Sequence, residues 1–292
     1  MMCSTARNST VQLSSRSSKP GSRLNDKERS NGRSFSSWAL ITGGGSGMGL
    51  EYARQLAAEG CGLALVSNRG DELQAAKASV EAEFGVQVEV LEIDLCSSGA
   101  AARVLEWCNA AGISPDILIN NAGMFFMQYL GPDNLAKASA MVDLHVKAVT
   151  ELCVLFGSRM KEKGSGRILN VASMTAWVPA PGIAVYSASK AYMVSFGKGL
   201  SYELRPYGVT VTTVCPAAID TGLYRLSEKQ RTWLRRFGIL RSPQWLVRRA
   251  LRGMKKGRRV LRPGFGNHLV PFIVSLLPAR LKDRLGMRWI NC

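Results

Sequence analysis

The sequence predicts an α/β fold, a single doubly wound domain whose parallel sheet of about seven strands has helices on both faces. Three observations lead to this prediction. Apolar runs of strand length alternate with segments of helical periodicity, the 292 residues suffice for one large domain with a full core, and the composition marks no second globular unit. The strands are predicted at residues 38–42, 63–67, 87–93, 117–120, 167–172, 209–215 and 259–262, with helices between them.

The fifth and sixth predicted strands are the clearest because both are rich in β-branched residues. Ile168-Leu169-Asn170-Val171 and Val209-Thr210-Val211-Thr212-Thr213-Val214 have the composition of buried parallel strands. In open parallel sheets the ligand binds at the carboxyl ends of the strands. The residues that fall at those ends include Gly43, Asn120, Ser173 and Pro216. The sequence therefore predicts a binding site along this edge.

A glycine-rich segment, Thr42-Gly43-Gly44-Gly45-Ser46-Gly47-Met48-Gly49, directly follows the first predicted strand. Glycine lets the backbone turn tightly and approach a pyrophosphate, whose charge is stabilised by the first N–H groups of the next helix. Leu50, Ala53, Leu56 and Ala57 give the following segment a helical pattern. A glycine cluster alone is more often an ordinary loop. Strand, turn and helix together are typical of a Rossmann-type dinucleotide-binding domain.

Three further residues have the chemistry of a proton-transfer site. Tyr186 and Lys190 are one helical turn apart, so the ammonium of Lys190 can lie near the Tyr186 ring and favour its phenolate form. Ser173 ends an apolar run and can hydrogen-bond the same reacting oxygen. Tyr-x-x-x-Lys alone is expected by chance in about one of every two or three chains of this length. With the glycine turn, the pattern predicts two groups that converge on one carbonyl or alcohol.

The ordered set of motifs resembles the short-chain dehydrogenase/reductase family over roughly residues 37–223. The motifs are the turn at 42–49, Asp94-Leu95 after the third strand, Asn120-Asn121-Ala122-Gly123 after the fourth, Ser173, Tyr186 with Lys190, and Pro216 followed by Thr221. The resemblance implies that Tyr186 exchanges a proton and Ser173 polarises the substrate oxygen. It also implies that Lys190 lowers the pKa of Tyr186 and binds the nicotinamide ribose.

The same resemblance implies a set of cofactor contacts. Besides Tyr186 and Lys190, the expected contacts are Gly43, Gly45, Ser46, Gly47, Met48, Gly49, Asn68, Arg69, Asp94, Leu95, Asn121, Ala122, Gly123, Pro216, Ile219 and Thr221. Asp94 is expected near the adenine; the alternative is that it caps a helix that begins near Ser97.

At one position the chain departs from the family pattern. The family usually has a catalytic asparagine on the helix after the Asn-Asn-Ala-Gly segment, where it holds a water that links the lysine to bulk solvent. Here Val142-Asp143-Leu144-His145-Val146-Lys147-Ala148 places His145 at that position. Histidine can donate and accept hydrogen bonds and titrates near neutrality, so His145 is a candidate catalytic residue with an altered pH profile. The alternative is a hydrogen-bonded core histidine.

The end of the second predicted strand favours NADP over NAD. Dehydrogenases that prefer NAD need an acidic side chain there for the ribose hydroxyls, and this chain has none. Asn68 can donate hydrogen bonds, and Arg69 brings positive charge next to the expected 2′-phosphate. NAD remains the alternative, because Ser46 stands where many NADP-dependent relatives carry a second basic residue and because Arg69 can simply be solvated.

Two segments are expected to border the substrate. They are residues 124–129, after the Asn-Asn-Ala-Gly motif, and residues 177–183, between Ser173 and Tyr186. With a lid region at 223–240 they would form a mostly apolar pocket without a fixed cation, which favours a bulky lipophilic ketone or alcohol, steroid-like or 3-oxoacyl. The alternative is that these side chains belong to the core, which is the more frequent place of Met and Phe stripes.

The end of the chain also resembles one branch of the family. Residues 261–264 and 277–278 are similar to those of the branch that includes 17β-hydroxysteroid dehydrogenase-like and 3-ketoacyl reductases. The resemblance to the family further implies a homo-oligomer built on the helices around residues 143–163 and 186–204. The rival hypothesis is a nucleotide-binding regulatory or scaffold protein in which His145 marks lost catalysis.

The positive charge lies at the two ends of the chain. Of the net charge of +17, residues 1–37 carry +5, residues 38–224 carry −4 and residues 225–292 carry +16. Nucleic acid is not predicted as the partner, because no recognised nucleic-acid module is present. Residues 268–277 are apolar, have basic neighbours and are too short to span a bilayer, so a peripheral membrane contact is predicted. Covering the substrate or forming a subunit contact is an equal alternative.

The ends of the chain set the predicted domain organisation. Residues 1–36 lack a hydrophobic run and are expected to be a disordered extension without a secretory signal, with a transit peptide as the alternative. Residues 37–262 are predicted to form the catalytic domain, and residues 263–292 a basic and apolar tail that packs on it or contacts membrane.

Cysteine and histidine usage predicts a cytoplasmic protein without a metal site. The seven cysteines are an odd number without a Cys-x-x-Cys pair, so they are expected to be reduced thiols. His145 and His268 are the only imidazoles, and no cluster has the spacing of metal ligands.

Overall fold

The computed structural model describes residues 37–217, 219, 240–264 and 266–278. These residues contain a seven-stranded sheet with strand order β3-β2-β1-β4-β5-β6-β7, and every neighbouring pair is parallel. The strands are β1 (Trp38–Thr42), β2 (Gly62–Ser67), β3 (Val88–Glu92), β4 (Ile117–Asn120), β5 (Gly166–Val171), β6 (Val209–Val214) and β7 (Val260–Leu261). The predicted fold class and all seven predicted strands are confirmed, with ends that differ by one residue at most.

Helices connect the strands in the described part of the chain. They are α1 (Gly47–Ala57), α2 (Gly70–Phe84), α3 (Ala100–Ala110), α4 (Leu135–Val142), α5 (Val149–Lys163), α6 (Ala184–Leu204), α7 (Pro243–Lys255) and α8 (Gly266–Leu276). Between α4 and α5, residues Asp143–Ala148 form a π-helix. None of the described helices is both long enough and apolar enough to cross a membrane.

The two faces of the sheet are covered by different sets of helices, as expected for a doubly wound fold. Along β1, Ala39 and Ile41 pack into one buried cluster with side chains of α1, α2 and α7. Leu40, between them, packs into a second cluster with side chains of α3, α5 and α6. Since successive side chains of a strand point to opposite faces, this alternation places β1 in the middle of the sandwich.

The strand register brings the carboxyl ends of the strands to a common edge. Val171 at the end of β5 is opposite Val214 at the end of β6, which in turn is opposite Leu261 at the end of β7. On the other side, Thr42 at the end of β1 pairs with Val66 of β2. The segments that follow β1, β4, β5 and β6 therefore share this edge, where the sequence predicts the site.

The alternative role of Asp94 as a helix cap is wrong. The helix that follows β3 begins at Ala100, with Gly99 as its N-cap, and not near Ser97. The Asp94 Oδ1 accepts a hydrogen bond from the Cys96 N–H at 2.9 Å, which closes a turn before that helix. Aspartate side chains often accept hydrogen bonds from nearby backbone N–H groups in such turns, and these bonds compete with the capping of a helix.

Several sequence predictions lie outside the described residues. These are the disordered extension at 1–36, the contact of Thr221, the lid region except its last residue, and the tail beyond residue 278. Among the described residues, Cys61, Cys96, Cys108, Cys153 and Cys215 are free thiols, and no three His, Cys, Asp or Glu side chains come together as metal ligands.

Candidate active site

The glycine turn after β1 folds back against the start of α1. Gly43 has a φ of 63°, a left-handed conformation that favours glycine, and its N–H donates to the Val66 carbonyl of β2 at 2.6 Å. A Cβ atom added at Gly49 would lie 1.8 Å from the Gly43 carbonyl oxygen. The turn can therefore close only because position 49 has no side chain.

The segment after β4 braces this turn. The Asn121 Nδ2 donates to the carbonyls of Thr42 at 3.0 Å and Gly43 at 3.3 Å. In return, the Thr42 Oγ1 accepts from the backbone N–H groups of Asn121 and Ala122, both at 3.0 Å. The Asn121 Oδ1 is buried and has no hydrogen-bond partner among the described residues. The structure thus brings together two of the motifs singled out in the sequence.

Arg69 lies beside the glycine turn, but it forms an ion pair with Glu72, a residue outside the motifs recognised in the sequence. Its Nη1 lies 2.6 Å from the Glu72 Oε1. Hydrogen bonds from Arg69 and then from Ser46 hold the pKa of Glu72 below its ordinary value. A Cβ at Gly45 would lie 3.0 Å from the Glu72 Cβ, so the start of α2 packs closely on the turn. The acid three residues after Arg69, in the first turn of α2, was the signal that could have revealed the pair.

Other predicted cofactor residues divide into exposed and buried ones. Asn68 and Asp94 are exposed beyond the ends of β2 and β3. Leu95 and Ile219 are buried, and Met48, in the first turn of α1, is half-buried and packs against the core.

Ser173 lies at the end of β5, where the chain starts a short 3₁₀ turn at Met174–Ala176. The Ser173 Oγ accepts a hydrogen bond from the Thr175 N–H at 3.2 Å, and the residue is buried. The Met174 N–H donates to the Pro216 carbonyl at 2.8 Å, which ties the ends of β5 and β6 together. The Ser173 hydroxyl is therefore held at the carboxyl edge of the sheet, with its own proton left to donate.

Tyr186 and Lys190 are one turn apart near the start of α6, as the spacing predicts, and both are buried. The Lys190 Nζ lies 5.6 Å from the centroid of the Tyr186 ring and donates to the Val171 carbonyl of β5 at 3.0 Å. Burial lowers the pKa of Lys190 to about 7, an effect that Cys215 partly opposes. The ammonium group is thus held against a phenol in an environment that disfavours an isolated charge.

The low pKa of Lys190 predicts how the stability of the ligand-free protein depends on pH. The unfolded chain keeps the proton up to the ordinary value of 10.5, whereas the folded protein releases it near 7. Between these values the unfolded state binds more protons, so the free energy of unfolding rises with pH. In urea denaturation we expect a larger rise between pH of about 7 and about 9.5 for the unaltered protein than for Lys190→Met. Equal pH dependence of the two proteins would contradict this expectation.

His145 lies in the π-helix, a feature that often marks functional sites, and it is fully buried. Its Nε2 accepts a hydrogen bond from the Met124 N–H at 3.1 Å, and its Nδ1 lies 3.0 Å from the Ser189 Oγ. Burial first, and then the nearby Lys190, hold the pKa of His145 well below its ordinary value. The prediction that this imidazole titrates near neutrality is therefore wrong, because its charged form would lose its hydration.

The two segments expected to border the substrate are brought together. The Gln128 N–H donates to the Gly182 carbonyl at 2.9 Å. Phe125 meets the Tyr186 ring edge-on, with centroids 5.0 Å apart and an interplanar angle of 86°. Apolar side chains therefore lie directly beside Tyr186.

A cation lies beside one of these segments, although the sequence predicts a pocket without a fixed cation. The guanidinium of Arg262, just after β7, is 4.0 Å from the centroid of the Trp177 ring. The contact joins positions far apart in the chain, so no local pattern could reveal it.

Comparison with known proteins agrees with this arrangement. A sequence model described as short chain dehydrogenase matches residues 37–232. The chain therefore belongs to the short-chain dehydrogenase family, and the predictions of this family and of an oxidoreductase are confirmed.

Individual relatives carry more specific names. A very-long-chain 3-oxoacyl-CoA reductase of Bos taurus is 28% identical over 257 residues, which cover 86% of this chain and 78% of that protein. A 17-beta-hydroxysteroid dehydrogenase type 3 of Homo sapiens is 30% identical over 195 residues, with coverage of 65% and 62%. These similarities confirm the predicted branch of the family.

Solved structures of similar fold extend over most of the chain. A short-chain dehydrogenase from Sphingobium yanoikuyae in complex with NADPH has a TM-score of 0.68 and 30% identity, and covers 83% of this chain and 97% of its own. A bulky-bulky ketone specific alcohol dehydrogenase from Comamonas testosteroni has a TM-score of 0.69 and 27% identity, with coverage of 84% and 96%.

Proposed function

We propose that this protein is an NADP(H)-dependent oxidoreductase that interconverts a carbonyl and an alcohol on a bulky lipophilic substrate, steroid-like or 3-oxoacyl. The observation that carries the proposal is the burial of Tyr186 and Lys190 on one face of α6, at the sheet edge that also holds Ser173. The nicotinamide, when bound, supplies or accepts the hydride, and the protein supplies binding, orientation and the proton.

Each catalytic side chain has a role that follows from its hydrogen-bonding capacity. Tyr186 gives its phenolic proton to the substrate oxygen in reduction and takes it back in oxidation. The Lys190 ammonium stabilises the phenolate that remains. The Ser173 Oγ already accepts from the Thr175 N–H, so its O–H can donate to the same substrate oxygen.

The residues around the glycine turn fit a dinucleotide phosphate. The close approach of Gly49 to Gly43 leaves a bare backbone surface at the start of α1, where anions are stabilised. The Asn121 Oδ1, which has no hydrogen-bond partner in the described ranges, is available to accept from a ligand. Arg69 donates one of its five N–H groups to Glu72, and other N–H groups can donate to a 2′-phosphate.

Replacement of Arg69 by Ala tests the cofactor preference. We expect the dissociation constant of NADPH to rise about tenfold, with a much smaller change for NADH, because a charge-assisted hydrogen bond to the 2′-phosphate is lost. Fluorescence titration with both cofactors measures the ratio. Glu72→Gln is the matched control: it frees Arg69 and removes a negative charge, so it should strengthen NADPH binding or leave it unchanged. Equal weakening of both cofactors by Arg69→Ala would remove the basis for preferring NADP.

The names of the relatives and the apolar surroundings of Tyr186 support the substrate class. Phe125, against Tyr186, and Trp177 present aromatic surface near the reacting groups. Arg262 favours substrates that carry an anionic group at the far end, such as acyl thioesters with phosphates, over neutral ketosteroids.

The experiment that tests the proposal is NADPH oxidation, followed optically, with ketosteroids, 3-oxoacyl thioesters and simple aromatic ketones, and with NADH in parallel. Turnover with bulky ketones and dependence on Tyr186 would support the enzyme. Tight NADPH binding without turnover of any of these substrates would favour the rival, a nucleotide-binding regulatory or scaffold protein.

We also propose a homo-oligomer and a peripheral contact with anionic membrane on the cytoplasmic side. Exposed Val154 on α5 and Tyr202 on α6 support the homo-oligomer. Sedimentation equilibrium would test it, and a monomer would count against it.

Exposed Leu269, Ile273 and Leu276 on α8 support the membrane contact. Absence of co-sedimentation with phosphatidylserine vesicles would count against it.

A further inference from the structure

His145 connects three parts of the active site. From the π-helix between α4 and α5, its ring reaches the Met124 backbone after β4 and the Ser189 side chain on α6. The ring also meets the Tyr186 ring, with centroids 5.9 Å apart and an interplanar angle of 69°. Phe125 directly follows Met124 and Lys190 directly follows Ser189, and both of these residues also contact the Tyr186 ring.

The hydrogen bonds fix which ring nitrogen carries the proton. The Met124 N–H can only donate, so the His145 Nε2 that faces it must be unprotonated. In a neutral imidazole the Nδ1 then carries the proton and donates to the Ser189 Oγ at 3.0 Å. The Ser189 hydroxyl in turn donates to the Tyr186 carbonyl at 2.8 Å. Each link has a defined donor and acceptor, so neither ring nitrogen is left for a water that could relay protons.

The surroundings of the imidazole disfavour a positive charge. Protonation would place an Nε2–H against the Met124 N–H, which sets two donors face to face. The charged group nearest the ring is Lys190, and a Cβ at Gly123 would lie 3.2 Å from the His145 Nε2 and 3.8 Å from the Lys190 Nζ. Among the described residues that pack on the ring, the other titratable group is the phenol of Tyr186.

Resting on the proposed function, we propose that His145 is a positioning residue: a permanently neutral, Nδ1-protonated imidazole that holds the Met124–Phe125 segment to the first turns of α6. Its effect on the reaction is to set Phe125 against the Tyr186 ring and thereby align the phenol and the adjoining wall of the substrate pocket. It takes no part in moving the proton. The His145 side chain therefore acts through its two hydrogen bonds, with the Met124 N–H and the Ser189 Oγ.

Imidazole nitrogen NMR tests the tautomer without any substrate. The chain has two histidines, so ¹⁵N-histidine labelling of the full-length protein gives two ring systems, and His268→Asn assigns them. We expect His145 to keep the chemical shifts of the neutral Nδ1–H tautomer between pH values of about 5 and 9. A titration within this range, or the Nε2–H tautomer, would overturn the proposal. Because this readout needs no turnover, its failure is distinct from failure of the proposed enzyme activity.

Kinetics of two variants tests the positioning role. His145→Asn is too short to reach both Met124 and Ser189, and Ser189→Ala removes the acceptor of the Nδ1–H. For each we expect kcat/KM for a bulky ketone to fall about tenfold or more, by the same factor at every pH, with the NADPH dissociation constant unchanged.

The double variant distinguishes one continuous chain of contacts from two separate ones. Because both substitutions break the same chain, the losses should be non-additive in His145→Asn/Ser189→Ala. A shift in the pH profile of His145→Asn relative to the unaltered protein would show that the imidazole takes part in proton transfer and would overturn the proposal. Full additivity, or unaltered kinetics of either single variant, would overturn it as well.

Discussion

Replacement of Tyr186 by Phe is expected to lower kcat for ketone reduction by about 10²–10⁴-fold, the usual contribution of a positioned general acid. The phenolic proton is the one that Tyr186 delivers to the substrate oxygen, and Phe keeps the ring that packs on Phe125 and His145. The fold and the cofactor site should therefore be preserved. Steady-state NADPH oxidation measures the loss, and fluorescence titration should find the NADPH dissociation constant within about twofold of the original.

The matched control is Tyr202→Phe, the same substitution on the same helix. Tyr202 is 61% exposed on α6 and lies more than four turns beyond Tyr186. Its variant should retain full activity. If Tyr186→Phe also retained full activity, the assigned acid and base would be wrong and another group would have to supply the proton.

The sequence predicted the sheet well because buried parallel strands have a distinctive composition. The run Val209–Val214 is made of Val and Thr alone, and all of its residues are buried except the half-buried Thr210. The positions of single side chains were predicted correctly where they depend only on neighbouring residues in the sequence. Tyr186 and Lys190 had to share a helix face once α6 formed, and Gly43 had to turn once β1 ended.

Contacts between distant segments could not be predicted from the sequence. The charge state of His145 depends on the Met124 backbone, 21 residues away, and on Ser189, 44 residues away. Periodicity also did not reveal the π-helix at Asp143–Ala148, because one wide turn barely changes the spacing of apolar side chains. The ion pair between Arg69 and Glu72 was also not predicted, because acidic residues are common in the first turn of a helix for their interaction with the helix dipole.

Lys190 combines a fixed position with a charge that its buried environment disfavours. Lys190 is fully buried yet donates to the Val171 carbonyl, so β5 fixes the position of the ammonium that Tyr186 needs. Burial lowers the pKa of Lys190 to about 7, which makes the charged form costly in the ligand-free protein. A phosphate-bearing cofactor nearby would favour that charged form. Cofactor binding and activation of the phenol are therefore expected to be coupled.

Replacement of Gly49 by Ala is expected to weaken NADPH binding by about a hundredfold, or about 3 kcal/mol. The new Cβ would lie 1.8 Å from the Gly43 carbonyl oxygen, 2.7 Å from the Gly43 carbonyl carbon and 2.9 Å from the Asn121 Nδ2. The first two atoms belong to the backbone and cannot rotate away, so the turn must open. Opening it also disturbs the hydrogen bonds from Asn121 that brace the turn.

The control for this substitution is Gly199→Ala, which adds the same methyl group in α6. Within the described part of the chain no atom lies within 4 Å of a Cβ built at Gly199, so Ala should be neutral there or stabilise the helix by about 0.5–1 kcal/mol. Fluorescence titration with NADPH and thermal unfolding compare the two variants. Gly49→Ala should lower both affinity and Tm, since overpacking against backbone typically costs about 1–3 kcal/mol of stability. If Gly49→Ala bound NADPH as tightly as Gly199→Ala, the pyrophosphate would have to bind away from this turn, and the cofactor site inferred from it would be wrong.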